Sequence, residues 1–172
     1  MGIDLKNWMQ NLPDGSDLLA LNLCGTHDCV TQHIRLPHFF CCQDLTIYEQ
    51  LLLGVRALDI RVRADGKCLT MVHGIFPAYN HSCHRANLMD MGDVLSQCYR
   101  FLDECPGEAV VFQFKNDNGK ENEQCFDNLF YTYIKGKEPY WCLEDRVPTL
   151  GAARGKLVLI RRCKMEPKPD LP

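Results

Sequence analysis

Two histidines and one arginine stand in local settings that suit phosphoryl transfer. His27 follows a Gly-Thr pair, Arg61 ends an Asp-Ile-Arg triplet, and His73 precedes a glycine. Each comes after a short apolar run that is typical of a β-strand. One imidazole can take a proton and the other can return it, while the guanidinium stays positive beside a phosphate. This combination predicts phosphoryl-transfer chemistry without a metal.

The elements predicted around these residues alternate between strands and helices. Apolar runs predict strands over 18–24, 57–63, 69–72, 109–115 and 157–160. Helical spacing predicts amphipathic helices over 94–102 and 126–134. A shorter helix is expected to begin at Thr46, which forms a capping box with Glu49. The alternation indicates an α/β fold with a largely parallel sheet or barrel.

The candidate residues share one position relative to these strands. His27, Arg61 and His73 fall at or just after predicted strand ends, as do Lys115 and one of the adjacent pair Arg161/Arg162. In parallel sheets and barrels, functional groups gather at the C-terminal ends of the strands. We therefore expect these side chains to line a single site.

Composition limits the classes of protein to which the chain belongs. Its 172 residues suggest one domain or part of a larger one, and 46% hydrophobic residues are enough for a buried core. A net charge of −3 gives no basic field of the kind that nucleic-acid binding requires. No apolar stretch approaches the roughly 20 residues of a transmembrane helix. The first residues also lack the apolar segment of a signal peptide.

The cysteines favour a reducing compartment. There are 11 of them, an odd number without regular spacing, and Cys41 and Cys42 are adjacent. A disulfide framework is more typical of a shorter secreted domain. Many of these residues lie in apolar runs, where a free thiol packs as a small hydrophobic group. Secretion stays open as an alternative in case a leader is missing.

Several separated motifs together resemble a known family. They are Trp8-Met9, Leu-x-Leu-x-Gly-Thr-His-Asp over 21–28, Tyr48-Glu49-Gln50-Leu51, Gly54-Val55-Arg56, Leu58-Asp59-Ile60-Arg61 and His73-Gly74. In this order they resemble the X region of phosphatidylinositol-specific phospholipase C, in its bacterial-type, metal-independent branch. The resemblance extends over about residues 8–162. It implies a distorted (β/α) TIM-like barrel, of which the chain would supply the N-terminal half or slightly more. Residues 1–172 would then be a single X-type domain, truncated at its C-terminal end.

The resemblance also implies roles for the three central residues. His27 would be the general base that takes the proton of the inositol 2-hydroxyl, which then attacks phosphorus. His73 would be the general acid that protonates the departing diacylglycerol oxygen. Both roles suit an imidazole, whose usual pKa lies near neutrality. Arg61 would stabilise the charge of the transition state through its planar set of donors.

Other residues would support this centre. Asp28 and Asp59 would orient the imidazoles and Arg61, with Asp28 in contact with Arg61 and His73. Lys115 and Arg162 would lie near the inositol ring, with Arg161 as the alternative register. The family pairs its general base with a carboxylate from a late strand, which this chain is expected to lack.

The resemblance implies neither a metal nor another cofactor. Calcium-dependent relatives place an acidic residue where Arg61 stands and an asparagine after the first histidine, where this chain has Asp28. The expected partner is phosphatidylinositol or a related inositol phospholipid at a membrane surface, bound peripherally. Phe39 and Phe40 would contact that surface or, alternatively, pack in the core.

Two other functions are compatible with these residues. A glycerophosphodiester phosphodiesterase of similar barrel architecture would need acidic metal ligands near the first strand ends. A non-catalytic inositol-lipid or protein-binding module would bind vesicles without cleaving them. Taken singly, His27 could be an ordinary loop residue, Asp59 a buried partner of Arg61, and Lys115 a solvated edge charge.

Overall fold

The computed structural model describes residues 2, 4–82, 87–117 and 123–163. Within these residues the strands are β1 (Gly25–Thr26), β2 (Ala57–Asp65), β3 (Cys68–His73), β4 (Phe76–Pro77), β5 (Ala109–Asn116), β6 (Trp141–Cys142) and β7 (Lys156–Arg161). The α-helices are α1 (Pro37–Phe40), α2 (Ile47–Leu52), α3 (Met91–Glu104), α4 (Glu123–Ile134) and α5 (Leu150–Ala153). Short 3-10 helices cover Leu5–Asn7, Leu18–Ala20 and Glu138–Tyr140.

The strands form one mixed sheet in the order β4-β3-β2-β5-β7-β6, and β1 pairs separately with β2. The pairs β1–β2, β2–β5, β5–β7 and β7–β6 are parallel, whereas β2–β3 and β3–β4 are antiparallel. The predicted α/β class with a largely parallel sheet is confirmed. Its parallel part places the C-terminal ends of β1, β2, β5 and β7 along one edge.

Strand β2 changes partners along its length. Residues 57–62 pair in parallel with β5, and residues 62–65 then pair with β3 as a hairpin that turns at Gly66. Arg61 was expected at a strand end, but it lies inside this longer strand, because the chain continues directly into the hairpin. Arg61 instead marks the end of the parallel portion. His73 is the last residue of β3.

The predicted strand over 18–24 is wrong. Leu18–Ala20 is a 3-10 helix whose first turn is capped by Asp17, which accepts a hydrogen bond from the backbone N–H of Leu19. Only Gly25 and Thr26 pair with a neighbouring strand. Alternating apolar residues predict a half-buried extended segment, yet they do not reveal whether a neighbouring strand is available to pair with it.

The helices cover the sheet as their apolar faces predict. Thr46 and Glu49 form the predicted capping box at the start of α2, and Gly54 follows the helix with a φ of +94°. The apolar face of α3, including Val94 and Phe101, is buried against the sheet in the larger core. A smaller apolar cluster involves the N-terminal segment, β7 and α5. None of the helices among the described residues combines the length and apolar character needed to cross a bilayer.

A buried ion pair joins the N-terminal segment to the start of the sheet. Arg56 Nη2 lies 2.7 Å from Glu108 Oε2, and both side chains are fully buried. Arg56 also donates to the carbonyl oxygens of Leu51 and Lys6, while Glu108 accepts from the backbone N–H of Met9. A buried pair that is hydrogen-bonded on all sides holds its elements in one arrangement. It fixes β2 and β5 at the ends opposite the candidate site.

Candidate active site

The loop that carries His27 is fixed by a buried glutamine. His27 directly follows β1, where Thr26 Oγ1 donates to Gln50 Oε1 over 2.7 Å. Gln50 comes from α2, is almost completely buried, and donates through Nε2 to the carbonyl oxygen of Cys29 over 2.8 Å. The His27 loop is thus tied to α2 on both sides of the imidazole. Gln50 was not among the predicted site residues, although it lies in one of the motifs that carry the resemblance.

Asp28 lies at the centre of the three predicted catalytic residues. Its side chain is fully buried, and its Oδ2 lies 3.2 Å from Arg61 Nη1 and 3.5 Å from His73 Nδ1. The same oxygen is 3.6 Å from His27 Nε2. The backbone of Asp28 has a φ of +46°, a left-handed conformation that aspartate tolerates better than most residues. Asp28 therefore contacts Arg61 and His73, as the resemblance implies, and His27 as well.

Asp59 supplies a carboxylate partner for His27. Its Oδ2 lies 3.1 Å from His27 Nδ1, and it also accepts hydrogen bonds from Arg61 Nε and the backbone N–H of Asp28. Arg61 Nη2 is 3.2 Å from the same ring nitrogen, but a carboxylate is the stronger partner for an imidazole N–H. His27 thus has an acidic partner on β2, whereas the resemblance led us to expect one from a late strand.

Arg61 is held by three carboxylates. Besides Asp28 and Asp59, its Nη1 lies 3.7 Å from Asp117 Oδ1. Asp117 follows β5, accepts from the backbone N–H of Gly74 over 2.7 Å, and also pairs with Lys115. Burial would lower the pKa of Arg61, but the hydrogen bond to Asp59 and the neighbouring carboxylates raise it overall. Arg61 is therefore a permanently charged group in a fixed orientation.

Asp117 was not among the predicted site residues, although its position in the sequence offered a signal. It lies two residues after Lys115, just past the end of β5, and so obeys the same strand-end rule as the other candidates.

The buried carboxyls differ in their electrostatic environments. Burial raises the pKa of Asp28 despite the attraction of Arg61 and the two histidines. Burial acts in the same direction on Asp59, but hydrogen bonds from Arg61, Asp28 and Gln113 outweigh it and lower the pKa. Asp117 is likewise lowered, because Lys115 and the N–H of Gly74 outweigh its burial. Asp59 and Asp117 are stabilised as anions, whereas the surroundings of Asp28 disfavour its charge.

His73 faces His27 across a narrow gap. Their ring centroids are 6.4 Å apart and the rings are nearly perpendicular. His73 Nδ1 lies 3.1 Å from the carbonyl oxygen of Phe40 and 3.9 Å from Cys42 Sγ. The Phe40 carbonyl can only accept, so it favours the tautomer with a proton on Nδ1. Two imidazoles at this separation can reach opposite sides of one phosphate group.

Two further cations lie near this centre. Lys115 stands beside Arg61 in the register of β2 and β5 and pairs with Asp117. Arg162 Nη1 lies 3.7 Å from Asp59 Oδ1, and its backbone N–H donates to the carbonyl oxygen of Phe114. Its neighbour Arg161 pairs instead with Asp145. The structure thus places Arg162, and not Arg161, beside the other site residues.

A cavity of about 290 Å³ opens next to His27. Its polar lining comes from Thr26, His27, Asp59, Gln113 and Arg162, and its apolar lining includes Ala57 and Val111. This volume is at the lower end of the range for small-molecule sites. It suits a compact polar group.

Apolar side chains project from the segments that flank His73. Phe39 is 80% exposed, Leu36 is 56% exposed, and Ile75 is 70% exposed. Phe40 instead stacks on Phe76, with ring centroids 4.1 Å apart. Of the two predicted alternatives for the adjacent phenylalanines, core packing is therefore excluded for Phe39.

The chain is similar to known proteins in sequence and in fold. The chain is 28% identical over 166 residues to the 1-phosphatidylinositol phosphodiesterase of Staphylococcus aureus (strain Newman), covering 91% of this chain and 51% of the relative. A phosphatidylinositol-specific phospholipase C structure from S. aureus matches with a TM-score of 0.76 and 28% identity, covering 92% of this chain and 53% of that one. The corresponding Listeria monocytogenes structure matches with a TM-score of 0.75 and 26% identity, covering 93% and 57%. No protein-family model matches the chain.

The fold and site define an α/β protein of the TIM-like barrel class with a histidine- and arginine-containing centre. The chain is similar to bacterial phosphatidylinositol-specific phospholipase C over about nine-tenths of its length, which confirms the resemblance read from the sequence motifs. It spans about half the length of the curated relatives it matches.

Proposed function

We propose that this chain carries the catalytic centre of a phosphatidylinositol-specific phospholipase C that works without a metal. The reaction would convert phosphatidylinositol to diacylglycerol and a cyclic inositol phosphate. The observation that carries the proposal is the pair of imidazoles 6.4 Å apart, both within 3.6 Å of the Asp28 carboxylate that also contacts Arg61. The relatives named as phosphatidylinositol phosphodiesterases support the same assignment.

In this proposal His27 is the general base. Asp59 accepts the N–H of His27 Nδ1 and leaves the lone pair of Nε2 to take a proton. That proton comes from the inositol 2-hydroxyl, whose oxygen then forms a bond to phosphorus. Asp59 also stabilises the imidazolium that results, because its low pKa keeps it ionised.

Arg61 and His73 complete the displacement. Arg61 stabilises the charge that develops on the phosphate oxygens, and its three carboxylate contacts hold the guanidinium in place beforehand. As the bond from phosphorus to the diacylglycerol oxygen breaks, His73 in its doubly protonated form donates the Nε2 proton to that oxygen and keeps the Nδ1 proton on the carbonyl oxygen of Phe40. Asp28 keeps His73 and Arg61 in register, and the carbonyl oxygen of Phe40 fixes the orientation of the ring.

Lys115 and Arg162 are proposed substrate-binding residues. Both lie at the end of the parallel strands, and Arg162 lines the cavity beside His27. A cation at each position would attract the phosphate and offer hydrogen-bond donors to the hydroxyl groups of the inositol ring. Ion pairs with Asp117 and Asp59 hold Lys115 and Arg162 near the site.

The exposed apolar side chains of Leu36, Phe39 and Ile75 would contact the membrane surface. They flank His73, so insertion into the interface would bring the head group toward the imidazoles. Exposed aromatic and aliphatic groups that together form a patch are typical of such contacts. We propose peripheral binding of this kind, with residues 1–172 acting as a single X-type domain.

Cleavage of phosphatidylinositol vesicles by the purified chain in EDTA tests the proposal, with products followed by ³¹P NMR. We expect the cyclic phosphate resonance to appear, and to be lost with His27→Ala and with His73→Ala. Activity that disappears in EDTA would point instead to a metal-dependent phosphodiesterase. Vesicle binding that persists without any cleavage would contradict the catalytic assignment and support a binding module.

A further inference from the structure

Cys42 brings a thiol next to the proposed acid–base pair. Its side chain is exposed, and its Sγ lies 3.9 Å from His73 Nδ1 and 3.7 Å from the carbonyl oxygen of Phe40. The loop is held in place by Thr31, whose Oγ1 accepts from the backbone N–H of Cys42 over 2.8 Å. The proposed catalytic steps involve the two imidazoles and Asp28, and none of them involves the sulfur of Cys42.

The Cys42 thiol lies close to the His27 imidazole and the Asp28 carboxylate, and all three groups can bind a metal ion. Within the part of the chain that the structure describes, a ring nitrogen of His27, a carboxylate oxygen of Asp28 and Cys42 Sγ lie within 4.8 Å of one another. Ligand atoms around a tetrahedral zinc ion are about 3.3–3.8 Å apart, given metal–ligand bonds of about 2.0–2.3 Å. The remaining distance would close by rotation of the His27 and Cys42 side chains, which are both exposed.

The surroundings of the Asp28 carboxylate are separate evidence that a cation can bind between these three side chains. Its carboxylate is fully buried, and neither oxygen accepts a hydrogen bond from any described residue. Arg61 lies 3.2 Å from Asp28 Oδ2, but the same guanidinium also contacts Asp59 and Asp117. A buried carboxylate without hydrogen bonds retains capacity for a further positive partner.

We propose that His27, Asp28 and Cys42 form an inhibitory site for a thiophilic divalent cation of the Zn²⁺ class. Three protein ligands of types N, O and S leave a fourth position for water, the open arrangement that zinc adopts in many enzymes. Cys42 binds as the thiolate and its proton goes to solvent. Ca²⁺ and Mg²⁺ do not fit, because they require a set of oxygen ligands. The bound ion occupies the lone pair of His27 and blocks the gap to His73.

Metal binding itself is measured without substrate, by titrating the 172-residue chain with Co²⁺ and displacing it with Zn²⁺. We expect one ion per chain with a thiolate-to-cobalt charge-transfer absorption, and no displacement by Ca²⁺ or Mg²⁺. Cys42→Ser should abolish the absorption and weaken Zn²⁺ binding at least about tenfold, since even outer ligand partners are worth 10–100-fold. Cys68→Ser is the matched control, because Cys68 is an exposed thiol at the opposite end of β3 from His73.

Several results would overturn the site. They are the absence of cobalt absorption in the unmodified chain, unchanged binding in Cys42→Ser, and equal loss in Cys68→Ser. His27→Gln, which alters an exposed side chain, gives a second loss of affinity that does not depend on the thiol.

The inhibitory effect rests on the proposed function and is tested separately. Zn²⁺ should stop cleavage of phosphatidylinositol, and the concentration required should rise at least about tenfold in Cys42→Ser, in line with the loss of a ligand. Full cleavage at saturating Zn²⁺ would refute inhibition while leaving binding intact. A chain that binds Zn²⁺ but cleaves nothing in EDTA would refute the proposed function and not the site.

Discussion

Asp59 Oδ2 lies 3.1 Å from His27 Nδ1, so the base proposed for this chain has its carboxylate partner on the neighbouring strand. That carboxylate also accepts from Arg61 Nε and from the backbone N–H of Asp28. One oxygen therefore orients the imidazole, the guanidinium and the loop that carries His27. The resemblance to the family pointed to a partner from a late strand, and here β2 supplies one.

Asp59→Asn should lower kcat by about 10²–10⁴-fold, the usual range for impairing one acid–base catalyst. The asparagine can present an N–H to Nδ1 and so favour the wrong tautomer of His27. The measurement is kcat for phosphatidylinositol cleavage across a pH series. Asp65→Asn is the control, because Asp65 pairs with an arginine two residues away on the same strand and lies outside the site. Similar losses in both variants would contradict the role of Asp59.

Arg61→Ala should reduce kcat as strongly as His27→Ala, by at least about a hundredfold, because it removes charge stabilisation in the transition state. Arg61→Lys should recover only part of the activity, since an ammonium group cannot reproduce the planar contacts to three carboxylates. Assays in EDTA keep a metal from substituting for the lost charge. Arg63→Lys, on the same strand, should stay close to the unmodified chain. A fully active Arg61→Ala variant would contradict the proposed metal-free mechanism.

Asp28→Asn should raise the thermal stability of the chain and lower its activity. Because burial raises the pKa of Asp28, its ionised form destabilises the fold at pH values above that pKa. The neutral amide fits the same left-handed backbone and should raise Tm at pH 7. Activity should fall by about 10²-fold or more, since the contacts that align Arg61 and His73 lose their charge. Thermal unfolding monitored by circular dichroism gives the first result; a lower Tm at pH 7 would contradict it.

Acid should destabilise the chain through Asp59 and Asp117. Both have lowered pKa values in the folded state, so they contribute stability above their usual pKa of 3.8. That contribution is lost as the pH falls from about 3.8 through the lower folded values. Urea unfolding between pH 5 and 2 measures the loss, and Asp117→Asn should flatten the dependence. An equally steep curve for Asp117→Asn would exclude Asp117 as a source.

Phe39→Ser should weaken binding to phosphatidylinositol vesicles by about tenfold or more. Burial of a phenylalanine side chain is worth about 1.5–3 kcal/mol, and Phe39 is 80% exposed in the absence of a membrane. Turnover of a short-chain, soluble analogue should be unchanged, because Phe39 does not contact the imidazoles. Leu53→Ser changes a similarly exposed side chain after α2 and should leave binding intact. Vesicle sedimentation distinguishes the two variants.

The fold was largely predictable where local signals agreed with each other. The capping box at Thr46, the apolar period of α3 and the buried runs of β5 and β7 all led to correct elements. The strand prediction for residues 18–24 was wrong. Their alternating apolar residues are typical of a strand, but no neighbouring strand among the described residues pairs with this segment. Strand β2 extends two residues beyond the predicted end at residue 63, because it continues directly into the tight hairpin with β3.

The site was predictable as a set of strand-end residues but not as a set of contacts. The chain order placed Arg161 and Arg162 equally well. The β5–β7 register and the ion pair of Arg162 with Asp59 decide between them. Cys42 lies in a segment without periodicity, so nothing local indicated that it would reach His73. Such proximity arises from the path of a loop, which residue patterns do not specify.

The change of partners within β2 has a mechanical consequence. His27 belongs to the parallel part of the sheet, whereas His73 is carried by the β2–β3 hairpin, and the two parts meet beside Arg61. Val62 is the residue at which β2 passes from one partner to the other, since it pairs with Asn116 of β5 and with Met71 of β3. The separation of the two imidazoles therefore depends on the twist of β2 at this buried residue, and a substitution there should alter that separation without touching either ring.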